Sequence, residues 1–219
     1  MKHVVTSVLA FIVCIPLSGV AVFAGDAEKG KTYYAPCAAC HGLNGEGNQA
    51  MSSPRLSGLS DWYLASQLDK YQNGIRGYSP DDALGQQMAA MARTLPDAQA
   101  ILDVVAYISS LDPGPIENAN IGGDIEKGKT IYIGCSYCHG VGGQGLNVPG
   151  AGTNDLPIPS PRISGQHGWY LVQQLKNFKN GIRGKHEKDI GGKVMRVETL
   201  SLYKDEMIVD VVTYINSLE

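Results

Sequence analysis

Apolar residues recur at helical spacing in several parts of the chain. The clearest stretch covers residues 97–111, where apolar side chains three or four positions apart form one face: Ile101, Leu102, Val104, Val105, Ile108 and Leu111. Pro96 and Asp97, which precede this face, are typical of a helix start. Residues 207–218 repeat the pattern near the end of the chain. β-Branched residues in both stretches would also suit a strand, but the apolar spacing lasts about four turns and favours helix.

Two further stretches have helix signals. Asp26 is a plausible start for a helix that runs towards Cys37. Ser60 is a plausible N-cap for a second helix, in which aromatic and leucine side chains follow at helical spacing until Asn73 and Gly74 end it. The chain is therefore predicted to be all-α.

The N-terminus has a different character. A short positive start is followed by a largely apolar run at residues 4–22, and Val22 and Ala24 place small residues around a cleavage site. We interpret residues 1–24, which include Cys14, as a signal peptide that is removed on export. An uncleaved membrane anchor is the alternative, because the run is nearly long enough to span a bilayer.

The rest of the chain repeats itself. Residues 26–31 and 37–42 recur at an offset of 98, as residues 124–129 and 135–140. Later matches have an offset of 107, such as residues 73–77 with 180–184 and Tyr107-Ile108 with Tyr214-Ile215. The change predicts a nine-residue insertion within residues 141–160 of the second copy. A whole domain is duplicated, with copies at 25–112 and 122–219 and a Pro/Gly-rich linker at 113–121.

Outside the N-terminal segment, all cysteines lie in two Cys-x-x-Cys pairs, each followed by histidine: Cys37, Cys40 and His41, then Cys135, Cys138 and His139. Two thiols at this spacing can add to the vinyl groups of one porphyrin, and the adjacent imidazole then reaches the iron. An isolated pair would also suit a disulfide, a zinc site or a thioredoxin-like centre, but zinc needs further ligands. Two copies in register predict two covalent haems c, which supply much of each small domain's core.

The second axial ligand decides between electron transfer and ligand-binding chemistry. The first copy contains Met51, Met88 and Met91. At the 107-residue offset, Met88 corresponds to Met195, whereas Met91 corresponds to Glu198 and Met51 falls in the insertion. We therefore predict that Met88 and Met195 bind the irons opposite the two histidines, with Met91 as the alternative in the first copy.

Eight other duplicated residues are candidates for the haem surroundings. A proline after each motif can pin its loop while its carbonyl accepts the imidazole proton. We expect at least one arginine of each pair to bind a propionate, the alternative being a solvated side chain, and we expect the tyrosines to line the haem. These candidates are Pro54, Arg55, Tyr63, Arg76, Pro161, Arg162, Tyr170 and Arg183. His167 and His186 match serines in the first copy, so neither serves both haems.

The two halves of the chain differ in net charge. The formal net charge of −3 argues against a nucleic-acid partner. Residues 25–117 hold eleven acidic and six basic residues, net −5, whereas residues 118–219 hold ten and eleven, net +1. We predict that the two domains meet different partner surfaces.

These residues resemble the di-haem cytochrome c4 family. The resemblance is carried by both haem motifs, the Pro-Arg-x-Ser-Gly stretches at 54–58 and 161–165, Gly165-Gln166-His167, the Tyr-Leu-x-x-Gln-Leu helices, and a methionine seven residues before a leucine. It implies two tandem class I cytochrome c domains related by pseudo-twofold symmetry, each wrapped around one haem, with facing propionate edges. The Gly-Ile-Arg-Gly stretch and the insertion are not features that the family requires.

The resemblance also implies a function. It indicates a periplasmic electron carrier without enzymatic activity, soluble or loosely membrane-associated, that receives electrons from a quinol-oxidising complex or a dehydrogenase. The acceptor would be a haem–copper oxidase or another reductase. One alternative is a bound subunit that accepts electrons from a periplasmic dehydrogenase, such as a flavocytochrome sulfide dehydrogenase. A haem enzyme such as a peroxidase is another.

Overall fold

The computed structural model describes residues 24–116, 120–146 and 159–218. These residues form helices and connecting loops without a β-strand, apart from isolated bridges between Asn48 and Ser53 and between Leu146 and Ser160. The helices of the first domain are α1 (Ala27–His41), α2 (Asp61–Gln72), α3 (Ala83–Ala92) and α4 (Ala98–Ser110). Those of the second are α5 (Ile125–His139), α6 (Gly168–Lys179), α7 (Ile190–Glu198) and α8 (Asp205–Ile215), with a 3₁₀ turn at Thr199–Ser201.

Aspartates begin most of these helices. Asp26 and Asp124 each accept hydrogen bonds from two backbone N–H groups in the first turn of α1 and α5. Asp97 caps α4 in the same way, as the sequence pattern predicted. Ser60 does precede α2, but its hydroxyl makes no capping hydrogen bond.

Each domain is built on one close helix crossing. In the first domain α1 crosses α4, and in the second α5 crosses α8. A Cβ on Gly30 would lie 1.9 Å from the Asp103 carbonyl oxygen, and one on Gly128 would lie 2.0 Å from that of Asp210. Only glycine therefore permits these approaches. Beside each crossing two tyrosine rings pack at 5.3 Å, so the duplicated sequence builds the same core twice.

The apolar pattern of the sequence predicted no helix at the positions of α3 and α7. Both are short, and each contains glycine where an apolar stripe would be expected: Gly85 in α3, Gly191 and Gly192 in α7. Their starts are fixed by Asp82 and Asp189, whose carboxylates accept an N–H in the first turn. These two helices carry the candidate axial methionines.

Some predictions fall outside the described residues. Residues 1–23, with the predicted signal sequence, lie there, as do most of the predicted insertion and residues 117–119 of the linker. Within the part that the structure describes, no helix combines the length and the apolar character needed to cross a membrane.

Candidate haem site

One cavity of about 940 Å³ extends through both domains. Its wall includes both cysteine pairs and both motif histidines. The two clefts therefore open into each other where the domains meet, instead of lying on separate surfaces.

Each motif lies at the end of a helix. Cys37 and Cys40 lie in the last turns of α1, and His41 is its final residue. Gly42 then leaves the helix with a φ of +84°, which turns the chain away below the histidine. The Tyr34 hydroxyl donates to the Gly42 carbonyl at 2.8 Å. In α5 the corresponding hydrogen bond, from Tyr132 to Gly140, is 2.7 Å long.

The two motif histidines are buried and oriented by proline carbonyls. His41 Nδ1 lies 2.8 Å from the Pro54 oxygen, and His139 Nδ1 lies 2.9 Å from the Pro161 oxygen. Burial lowers the pKa of both imidazoles and outweighs the opposing effect of these hydrogen bonds. Neutral imidazoles that donate through Nδ1 leave Nε2 as the nitrogen available to a metal.

No disulfide joins the motif cysteines Cys37, Cys40, Cys135 and Cys138. Burial raises the pKa of Cys37, and it raises that of Cys135 to about 11, so both are protonated at neutral pH. Among the described residues, no group of three or more cysteine, histidine or acidic side chains is arranged to hold a metal ion. Addition of the two thiols of a motif to one porphyrin needs no further protein ligand.

Four methionines line the cavity. Met88 on α3 and Met195 on α7 line the cavity at equivalent positions. Met91 and Met51 also line the first cleft, so the cavity wall alone does not choose among the three. Met207 belongs to α8.

Two arginines join the domains in a reciprocal pattern. Arg76 donates to the Tyr170 hydroxyl at 3.1 Å and to the Gln174 amide oxygen at 3.2 Å in the second domain. Arg183 donates to Tyr63 at 3.2 Å and to Gln67 at 3.0 Å in the first. Each contact repeats the other at the 107-residue offset, so the interface has pseudo-twofold symmetry. We call these six residues the arginine network.

Two buried donors in this region lack a partner among the described residues. Trp62 Nε1 and Arg183 Nε make no hydrogen bond, and both residues line the cavity. Buried donors of this kind need an acceptor. Haem carries two acidic propionates, and an anionic acceptor beside the arginine network would satisfy both donors. The residues present therefore fit a haem in each cleft.

The other arginine pair is placed differently. The buried Arg55 guanidinium donates to the carbonyls of Ser57 and, at 2.7 Å, Gly114, so it ties the first domain to the linker. Arg162 lines the cavity and donates to Ser164. At the domain interface, the Gln166 side chain makes reciprocal hydrogen bonds with the Arg55 backbone.

The two remaining histidines of the second domain, His167 and His186, both contact the first domain. His167 Nε2 lies 2.8 Å from the backbone carbonyl oxygen of Glu46 in the first domain, and its ring stacks on Trp169. His186 accepts the Lys188 N–H and packs against Tyr78.

Sequence reasoning missed several members of the site. Gln67 and Gln174 were seen only as parts of the repeat, although polar residues duplicated beside duplicated arginines were a usable signal. The ion pair between Lys70 and Asp189 had no such signal, because its two positions do not form an ion pair in the other copy.

Comparison with known proteins agrees with this geometry. The cytochrome c family model matches residues 27–112 and 125–219. Cytochrome c4 from Stutzerimonas stutzeri is 31% identical over 188 residues, covering 80% of this chain and 82% of that protein. A thiosulfate dehydrogenase electron acceptor from Thiomonas intermedia is 35% identical over 162 residues, 68% of this chain and 65% of that protein.

Solved structures lead to the same family. The crystal structure of reduced recombinant cytochrome c4 from Pseudomonas stutzeri matches with a TM-score of 0.69 and 27% identity, over 90% of this chain and all of that one. Two tandem cytochrome c domains with two Cys-x-x-Cys-His motifs imply two covalent haems c and an electron carrier. The chain belongs to the cytochrome c family and, within it, to the di-haem cytochromes c4.

Proposed function

We propose that this chain is a periplasmic carrier with two six-coordinate redox centres. In the first domain His41 and Met88 would hold the haem iron, and Cys37 and Cys40 would form the thioether bonds. In the second, His139 and Met195 would hold the iron, and Cys135 and Cys138 would form the thioether bonds. The supporting observation is the equivalence of the two clefts, whose motif, proline and methionine occupy the same places on equivalent helices.

Bound haem supplies a one-electron iron couple, with potentials raised by methionine ligation. The chain supplies orientation and charge balance. Pro54 and Pro161 fix the imidazoles, and the buried apolar wall keeps water away from them. Arg76 and Arg183 would offset the propionate charges where the clefts meet, and the Trp62 indole N–H would donate a hydrogen bond to a propionate. Because both clefts open into one cavity, haems held there would be near enough to each other to exchange electrons within the molecule.

The predicted cleavage site after Ala24 lies directly before the first packed residues of the fold. A Cβ on Gly25 would lie 2.1 Å from the Leu102 carbonyl oxygen, and the Asp26 N–H donates to Asp103 at 2.8 Å. A chain cleaved after Ala24 is thus packed from its first residue. Cleavage is checked by the intact mass of the mature protein, which should equal residues 25–219 plus two haems.

The donor and acceptor follow from the family. A haem–copper oxidase is the proposed acceptor, and a quinol-oxidising complex is the proposed donor. A second candidate function is to accept electrons from a thiosulfate dehydrogenase. The relative from Thiomonas intermedia, which is 35% identical, is named as a thiosulfate dehydrogenase electron acceptor.

The test uses the haem-loaded protein. We expect each chain to bind two haems, to accept two electrons, and to have a Met-to-iron charge-transfer band at long wavelength in the oxidised spectrum. Anaerobic mixing with thiosulfate dehydrogenase and thiosulfate, then with a cbb3-type oxidase, compares donor and acceptor rates. Rapid peroxide turnover without the charge-transfer band would contradict the carrier function.

A further inference from the structure

The two methionine-bearing helices, α3 and α7, are held differently at their ends. The Gln72 side chain on α2 donates through Nε2 to the carbonyl oxygens of Ala92 and Leu95, at 2.9 Å each. These two hydrogen bonds tie the end of α3, just after Met88, to α2. Both helices have an aspartate cap at their start, so the difference between the domains lies at the other end.

The second domain has no glutamine at this position. The residue that corresponds to Gln72 is Lys179 on α6, and its ammonium group lies 3.0 Å from the Asp205 carboxylate at the start of α8. The same position therefore joins α6 to α8 in the second domain, whereas it joins α2 to α3 in the first.

The packing of the two helices differs as well. Ala89 and Ala92 of α3 are 2% and 1% exposed, and they belong to a buried cluster against which Met88 packs. The residues of the second domain that correspond to these alanines are Arg196 and Thr199. A long cationic side chain thus stands where α3 packs closely through a methyl group.

Arg196 and a nearby glycine reduce the stability of α7. The Arg196 Nε atom is buried and has no hydrogen-bond partner within the described part of the chain, which is an unfavourable state for a polar group. Gly191 replaces Leu84 in the first turn of the helix, and a Cβ there would meet no atom within 4 Å. Packing does not require this glycine, and it makes the helix less stable than a larger residue would.

We propose that the methionine of α7 leaves its iron more readily than the methionine of α3, so that the second haem also binds small uncharged ligands such as imidazole. The inference rests on the carrier function and methionine ligation proposed above. It adds a binding activity, the domain that has it and the residues that control it. The step is a ligand exchange: the lone pair of the incoming ligand bonds to the iron as the Met195 thioether leaves, and no electron is transferred.

The difference in local stability determines the affinity. An incoming ligand can bind only when the end of the methionine-bearing helix has moved away, and such local opening has its own free energy. The apparent affinity then rises in proportion to the fraction of molecules that are open. Gln72 and Arg196 act through α3 and α7 and are therefore positioning residues, which set how often each helix opens.

The test exchanges residues between the domains of the haem-loaded protein. Gln72→Lys gives the first domain the lysine of the second, and Arg196→Ala gives α7 the alanine of α3. Asn73→Lys is the matched control, because it adds the same charge at the same end of α2 on an exposed side chain that bonds Asp69 within the helix.

Two measurements are made on each protein. Imidazole is titrated into the oxidised protein, and its binding is followed by loss of the Met-to-iron charge-transfer band. Hydrogen exchange of the backbone amides of α3 and α7 is measured without imidazole, so it reports the opening of each helix independently of ligand binding.

In the wild type we expect the band to disappear in two steps about tenfold apart in imidazole concentration, and α7 amides to exchange about tenfold faster than those of α3. Gln72→Lys should speed exchange in α3 and move only the weaker step to lower imidazole concentration. Arg196→Ala should slow exchange in α7 and move only the tighter step to higher concentration. Asn73→Lys should change neither helix and neither step.

A single imidazole step with equal exchange in α3 and α7 would overturn the proposal. Slower exchange in α7 than in α3, or steps that move in neither Gln72→Lys nor Arg196→Ala, would do the same. Absence of the charge-transfer band before imidazole is added would instead count against methionine ligation, and so against the proposed function itself.

Discussion

Lys70 Nζ lies 2.7 Å from Asp189 Oδ1, an ion pair that joins the two domains across their interface. Asp189 is buried and caps α7, the helix that carries Met195. At the symmetry-equivalent positions the chain has Asn177 and Asp82, and Asp82 caps α3 in the same way. The two haem sites thus have equivalent aspartates, but only that of the second domain has the lysine opposite it.

This asymmetry predicts a difference in reduction potential. In Lys70→Asn the Asp189 charge is no longer balanced, and a nearby negative charge stabilises the ferric iron. We expect the potential of the second haem to fall by roughly 20–60 mV, or about 0.5–1.4 kcal/mol for one electron. Spectroelectrochemical titration measures both potentials.

The charge-swap variant Lys70→Asn/Asn177→Lys provides the control. It moves the cation to the side of Asp82, so the first potential should rise while the second falls. Each wave is assigned with a variant that lacks one cysteine pair. If the two potentials do not change relative to each other in either variant, the ion pair does not set the difference.

The same pair predicts a pH dependence of stability. Burial raises the pKa of Asp189, but the hydrogen bond and charge of Lys70, together with Arg183 and the Gly192 N–H, bring it below its ordinary value. A lowered pKa in the folded state contributes stability above pH about 3.9, the unfolded value, and that stability is lost as pH falls through the folded pKa. Lys70→Asn should therefore unfold more easily at neutral pH, by about 2–4 kcal/mol.

Denaturant unfolding of wild type and Lys70→Asn at successive pH values checks this. The difference in unfolding free energy should be constant near neutrality and shrink below pH about 4, where Asp189 becomes protonated. A difference that persists in acid would mean that Lys70 stabilises the interface through packing alone.

The haem motifs and the repeat could be identified from the sequence because both depend only on the order of residues along the chain. Cys-x-x-Cys-His fixes its own chemistry over five positions, and comparison of the copies selected Met88 from three methionines. The sequence pattern did not predict α3 and α7, because these short helices contain glycine and have little apolar periodicity. The Lys70–Asp189 contact joins residues 119 positions apart, and such a pairing depends on how the domains dock.

The arginine network predicts how tightly the domains are coupled. Arg183→Gln removes the cation that donates to Tyr63, Gln67 and Gln174, and it leaves buried acceptors unsatisfied. We expect a loss of about 2–3 kcal/mol in unfolding free energy and slower exchange of electrons between the haems. Calorimetry and flash-photolysis kinetics measure the two effects.

Arg93→Gln is the matched control, because Arg93 is exposed on the first domain. It should change stability by less than about 0.5 kcal/mol. Equal losses for Arg183→Gln and Arg93→Gln would contradict a structural role for the network.

Two glycines of α5 predict opposite responses to alanine. A methyl group on Gly128 would collide with the Asp210 backbone, so Gly128→Ala should separate α5 from α8 and cost about 2–3 kcal/mol. A Cβ on Gly134 meets no described atom, and the first domain has Pro36 there. Gly134→Ala should therefore be neutral or stabilising by up to about 1 kcal/mol. Thermal unfolding of the haem-loaded variants distinguishes the two, and a stable Gly128→Ala would show that the crossing can relax.

The choice of axial methionine gives a spectroscopic prediction. Met88 and Met195 occupy equivalent positions on α3 and α7, whereas Met91 is replaced by Glu198 in the second domain. If Met88 and Met195 bind the irons, Met88→Ala and Met195→Ala should each remove about half of the Met-to-iron charge-transfer intensity and lower one potential. Met91→Ala should leave both unchanged, although Met91 lines the same cavity. Loss of intensity in Met91→Ala and not in Met88→Ala would make Met91 the ligand and remove the equivalence of the two centres.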